Sequence, residues 1–157
     1  MSAQLIYDHA PLGAIIRYSD GTPRPPERHR RKLWAWENRN NTGVLVKKMP
    51  GRRTGEIALP GSFTLHEGDY GTKAVIVLKV FKSFSVDSDL AFTVIERPAV
   101  GSVLVLSRSG DAGELVHVAE NRPAAQEWLS RHGYPSAVLH EVTADEVAAD
   151  HVEGRAA

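Results

Sequence analysis

Residues 73–84, KAVIVLKVFKSF, carry the strongest strand signal in the chain. The continuous apolar centre from Ala74 to Leu78 predicts a buried strand in a central position. Lys79 and Lys82 alternate imperfectly with Val80, Phe81 and Phe84, so the strand is expected to emerge or bend toward its end. Ser85 to Asp89 reads as a turn, which makes Leu90 to Glu96, closed by Pro98, the expected antiparallel partner.

Toward the C-terminus, Gly101 to Ser107 and Glu114 to Ala119 flank a polar turn and predict a second hairpin. The period then changes. Pro123 to His132 sets Ala125, Trp128, Leu129 and His132 on one side, starts after Asn121 and stops at Gly133, the pattern of an amphipathic helix. Ala137 to Val142 is a final strand. Thr143 and Glu146 have capping-box spacing, and Val142 and Val147 have that of a hydrophobic staple, so a helix is expected from Ala144 to about Val152.

Toward the N-terminus, Glu67 to Gly71 reads as a glycine-rich loop after a brief alternation at Phe63 to Leu65. Its glycines do not match a phosphate-binding loop. Met49 to Gly55 is a basic turn, and Glu56 to Leu59 a short strand. Leu12 to Tyr18 is the first strand, ending at Ser-Asp-Gly-Thr. Pro23, Pro25 and Pro26 stiffen the loop that follows. Arg30 to Glu37 fits either a strand returning through an Asn-rich turn into Val44 to Lys48, or a short helix. The helix is favoured because Pro-Pro-Glu-Arg precedes it like an N-terminal turn.

These elements predict an α+β fold, predominantly an antiparallel sheet built from residues 12 to 119, with two or three short helices of which the clearest two lie near the C-terminus. At 157 residues the chain has the size of one domain, expected over residues 1–154 with a frayed tail at 155–157. The absence of cysteine excludes disulfides, thiolate catalysis and cysteine-ligated zinc. A cytoplasmic location fits that absence, and neither a leader nor a membrane span is visible.

Formal charge is zero, yet residues 1–82 carry 14 Lys or Arg against 7 Asp or Glu, and residues 83–157 carry 5 against 12. Function is therefore sought in residues 23–48, where a proline-stiffened entry, a basic cluster and two tryptophans coincide. Arg28, Arg30, Arg31 and Lys32 supply the charge that phosphate contacts need, and Trp34 or Trp36 offers a stacking surface for an unpaired base. Arg24, Arg39, Lys47, Lys48, Arg52 and Arg53 extend the candidate face, with Lys79 and Lys82 joining if the sheet allows.

The expectation is a nonenzymatic module binding nucleic acid, DNA or RNA, with single-stranded nucleic acid a candidate form, and with no cofactor, no metal and no membrane. One alternative is a protein-interaction or self-association module that meets an acidic partner. Another is a small hydrolase or nuclease using His66, with Glu67 and Asp69 nearby, or His117. It requires a concave pocket that joins one of these histidines to an acid and a cation. The seven histidines show no zinc-site spacing, and no catalytic set is assigned.

Overall fold

The computed structural model describes residues 1–71 and 76–149. The elements in chain order are α1 (Ala3–His9), β1 (Ile15–Ser19), α2 (Arg30–Glu37), β2 (Asn41–Met49), β3 (Arg52–Thr54), β4 (Ile57–Leu59), β5 (Ser62–Gly71), β6 (Ile76–Ser85), β7 (Ala91–Glu96), β8 (Val103–Leu106), β9 (Leu115–Ala119), α3 (Arg122–Ser130) and β10 (Val138–Glu141). A fourth helix, α4, runs over residues 144–149. The strands form antiparallel sheets ordered β6-β5-β2-β1-β7 and β10-β8-β9, plus the β3-β4 hairpin, so the fold is α+β. The expected start of a strand at Lys73, the end of the last helix near Val152 and the tail 155–157 lie outside the described residues.

Alternation along β1 and β2 explains the layering. Ile16, Tyr18 and Leu45 point to one face of the large sheet, where Phe63, Phe84 and Phe92 join them under Ala3, Ile6 and Ala10 of α1. The rings of Phe84 and Phe92 meet edge to face with centroids 5.3 Å apart, a favourable aromatic geometry. The opposite face presents Val46, which packs with Leu104, Leu115 and Val142 and so joins the second sheet to the first. Ala125 of α3 is buried on the far side of that second sheet against Val103, Val105 and Ala119.

Four sequence expectations are corrected by this packing. Residues 67–71 are the end of β5 and not a loop, because register shifts at His66/Gly68 and Tyr70/Gly71 absorb the glycines as irregularities in the β5-β6 ladder. β6 is an edge strand and not a central one; its Lys79 and Lys82 suit an edge, where charge discourages pairing with another chain. β7 pairs with β1 at the opposite edge of the sheet instead of with β6, since its Phe92 enters the aromatic core beside Tyr18. The first residues form α1, capped when Ser2 Oγ accepts from Leu5 N at 3.3 Å. Instead of one sheet built from residues 12 to 119, the described strands divide into a five-stranded sheet, a three-stranded sheet and the β3-β4 hairpin.

The helix reading of residues 30–37 is the one adopted. The hairpin of β8 and β9, the Asn121 cap of α3 and the capping box before α4 all form as their local signals indicate.

Candidate functional site

The excursion between β1 and β2 is held by a polar clamp at its base. Asp20 Oδ1 accepts from the Thr22 hydroxyl at 2.6 Å, from Thr22 N at 3.0 Å and from Asn40 Nδ2 at 3.0 Å, and Arg39 Nε lies 3.4 Å from its other oxygen. These partners, the Thr22 hydroxyl foremost, hold the Asp20 carboxyl down at about 2. Asn40 Nδ2 also donates to the Trp36 carbonyl at 2.8 Å, and Lys82 donates to the carbonyl of Asn38, placing a cation at the negative end of α2.

α2 itself buries no residue. Its inner side is formed by Leu33 and Trp36, both half-buried, and Trp36 Nε1 donates to the Thr22 carbonyl at 3.0 Å, tying the proline loop to the helix. At about 100° per residue, Arg30, Arg31 and Trp34 then share the outer side, since 30/34 and 31/34 are helical neighbours. Trp34 is 69% exposed there. His29 makes no side-chain cap, and the first turn contains no acid and three consecutive cations, Arg30, Arg31 and Lys32. Cations at the positive end of a helix work against its dipole, so this arrangement is not one that stability favours.

The remaining candidates divide. Arg24 and Arg28 lie on the loop leading into α2; Arg24 pairs with Glu27 at 3.8 Å, and Arg28 Nε donates to His29 Nε2 at 3.3 Å. Arg39 is held between Asp20 and Asp89. Lys47 borders a separate depression beside Glu114 and Tyr134, and Lys48 another beside Tyr7 and Asp111. Arg52 and Arg53 sit on the exposed β3-β4 hairpin at the far end of β2. Nine residues of β2 at roughly 3.3 Å each put about 30 Å of strand between that hairpin and the Asn40 clamp. The structure therefore brings together Arg24, Arg28, Arg30, Arg31, Lys32 and Trp34, and leaves Lys47, Lys48, Arg52 and Arg53 outside that group.

A second constellation occupies a cleft of about 530 Å³ between the large sheet and the end of α3. His66, Asp69, Lys79, His117 and His132 all line it. His66 Nε2 and Asp69 Oδ1 are 2.7 Å apart across the β5 irregularity. His117 pairs with Val105 and alternates with Ala119, which sets it on the α3 side, where its ring lies parallel to Trp128 at 4.7 Å. Trp128 also stacks on His132 at 3.9 Å, and His132 Nδ1 donates to the Trp128 carbonyl at 2.7 Å, leaving Nε2 for other partners. Burial first, and then the nearby His132, hold the His117 imidazole below the ordinary histidine value.

Trp128, His132 and Tyr134 were not read as site residues from the sequence, and Lys79 was read only as a conditional extension of the basic face, whereas it lines this cleft. The only signal was the shared helical face of Trp128 and His132, which says nothing about meeting His66. Among the described residues no group of histidines and acids is arranged to hold a metal ion, and no helix is long and apolar enough to cross a membrane.

Comparison with known proteins gives one match. The chain belongs to the family described as uncharacterised conserved protein UCP036055, whose model covers residues 1–146. No curated protein and no solved structure matches it.

Proposed function

We propose that this family member binds single-stranded nucleic acid through α2 and the loop before it. The observation that carries the reading is Trp34, exposed between Arg30 and Arg31 on a helix that buries nothing and opens with three cations. An indole face accepts any base by stacking, while flanking guanidiniums neutralise adjacent phosphates. Trp36 and the Asp20 clamp hold this surface in place, which lowers the ordering cost of binding.

Fluorescence anisotropy with labelled single-stranded DNA and RNA oligonucleotides, across a salt series, tests the reading. Affinity is expected to fall with salt, and Arg30→Ala with Arg31→Ala to flatten the log–log slope by about 1.4, at roughly 0.7 per phosphate contact. Trp34→Ala is expected to weaken binding by about 1–3 kcal/mol. Absence of binding at low salt overturns the proposal; salt-dependent self-association in its place supports the protein-interaction alternative.

The cleft favours a second reading, metal-independent acid–base chemistry on a phosphodiester or related ester. It supplies the concave pocket with a histidine, an acid and a cation that such a reading requires. Asp69 orients His66, and His117 is held neutral enough to accept a proton. Incubation of the protein in a metal chelator with RNA and with p-nitrophenyl esters tests this, and turnover unchanged by His66→Ala and by His117→Ala discards it.

A further inference from the structure

We infer that the cavity where the chain leaves β7 binds a small organic carboxylate with an apolar body. The cavity measures about 350 Å³ and is walled by Leu12, Leu104, Leu106, Val142 and Val147. That volume and largely apolar lining fit a small-molecule site, in which a few polar groups set the orientation. Here the polar group is Arg97, whose Nε is buried without a hydrogen-bond partner. Among the described residues no carboxylate forms an ion pair with it, and an unpaired buried donor on a cation is costly.

The acid that lines the same cavity is already committed. Glu146 Oε1 lies 2.9 Å from His140 Nε2, and Glu146 Oε2 accepts from Thr143 N at 3.1 Å as half of the capping box of α4. Arg97 is thus left for a ligand. A guanidinium edge matches a carboxylate in a bidentate geometry, and the aliphatic walls exclude the water that would compete. Among the described residues Arg97 is the single cation lining the cavity without a protein partner, and the Glu146 carboxylate lines it too, so a monoanion is favoured over a phosphate dianion.

The position of Arg97 is built rather than incidental. Pro98 biases it to extended backbone and seats against Gly13, where φ is +90° and an added Cβ would approach Pro98 Cγ to 2.8 Å. Gly13 N in turn donates to the Leu45 carbonyl at 2.8 Å. The opposite wall is pinned by Val142 N donating to the Ser102 carbonyl at 2.8 Å and Gly101 N to the Val142 carbonyl at 2.9 Å.

Isothermal titration and a thermal shift with hexanoate, 1-hexanol and acetate test the inference on the full chain. Hexanoate is expected to bind at least tenfold more tightly than either hexanol or acetate and to raise the melting temperature. Arg97→Met should lose at least tenfold in hexanoate affinity while hexanol binding stays the same; Arg30→Ala with Arg31→Ala should leave hexanoate binding unchanged. If Arg97→Met does not fold, Arg97→Lys should show an intermediate affinity. Equal affinity for hexanoate and hexanol in the wild type, no binding of hexanoate, or hexanoate binding indifferent to substitution of Arg97 overturns it.

Discussion

Two helices of nearly equal length hold the three tryptophans, and Trp128 of α3 and Trp34 of α2 are used in opposite ways. α3 is capped by Asn121, whose side chain accepts from Ala124 N at 2.9 Å, opens with a proline and buries Ala125 in the second sheet. Its Trp128 lies parallel to His117 and His132, so the indole is consumed by the protein. α2 has no side-chain cap, buries nothing and leaves Trp34 in solvent beside Arg30, Arg31 and Lys32, which have no ion-pair partner among the described residues. In α2 the first-turn cations oppose the helix dipole and one of its two indoles faces outward, an arrangement that folding alone does not favour. The difference separates a helix that stabilises the domain from one displayed by it.

The comparison breaks most readily at the tryptophans. Trp128→Ala should cost about 2 kcal/mol or more, scaled down from the 3–5 kcal/mol of a fully buried aromatic. At roughly 2–4 °C per kcal/mol for this chain length, thermal unfolding should show a drop of about 4–8 °C. Trp34→Ala should stay within about 0.5 kcal/mol of the wild type, and a loss like that of Trp128→Ala would mean that α2 is structural after all.

Caps come next. Asn121→Ala should destabilise by about 1 kcal/mol in a denaturant titration. His29→Asp, which supplies the cap and first-turn acid that α2 lacks, should instead slow amide hydrogen exchange in α2. Smaller still, Arg30→Glu should stabilise α2 by about 0.3–1 kcal/mol at low salt while weakening polyanion binding. Opposite signs for stability and binding at one residue are what a displayed helix requires.

The smallest effect is the pH response of the Trp128 stack. The folded state holds His117 below its ordinary 6.5, so it binds fewer protons there than the unfolded chain does. The corresponding stabilisation is complete above about pH 6.5 and is lost as pH falls through the folded value. Melting curves from about pH 8 to 5 should therefore decline more steeply for the wild type than for His117→Gln.

The Asn121 cap of α3, the Thr143/Glu146 box and the Val142/Val147 staple were readable because each signal acts within a few residues. The helix at Arg30 to Glu37 was readable for the same reason, through the prolines ahead of it. Glu67 to Gly71 misled because a loop and an irregular strand share a composition, and only the ladder with β6 separates them. Leu90 to Glu96 misled because sequence proximity favoured β6 as its partner, whereas Phe92 is drawn across the sheet by Tyr18 and Phe63. Of the candidate site, the run Arg28 to Trp34 was visible as composition. The inclusion of Arg52 and Arg53 was not sustained as one patch, since the length of β2 cannot be converted into a direction without the fold.

Sequence alone settled the N-terminal caps of α3 and α4, the β8-β9 hairpin, the α+β class and the coincidence of charge with tryptophan in residues 23–48. These depend on torsional preference, side-chain capping and hydrophobic period, all of which operate over one or two turns of chain. Tertiary structure alone decided that Trp34 faces solvent while Trp36 turns inward to Thr22, that His66 and His117 border one cleft, and that Arg97 Nε is buried with no partner among the described residues. Those outcomes follow from which strands are neighbours, a choice governed by burying apolar faces far apart in sequence.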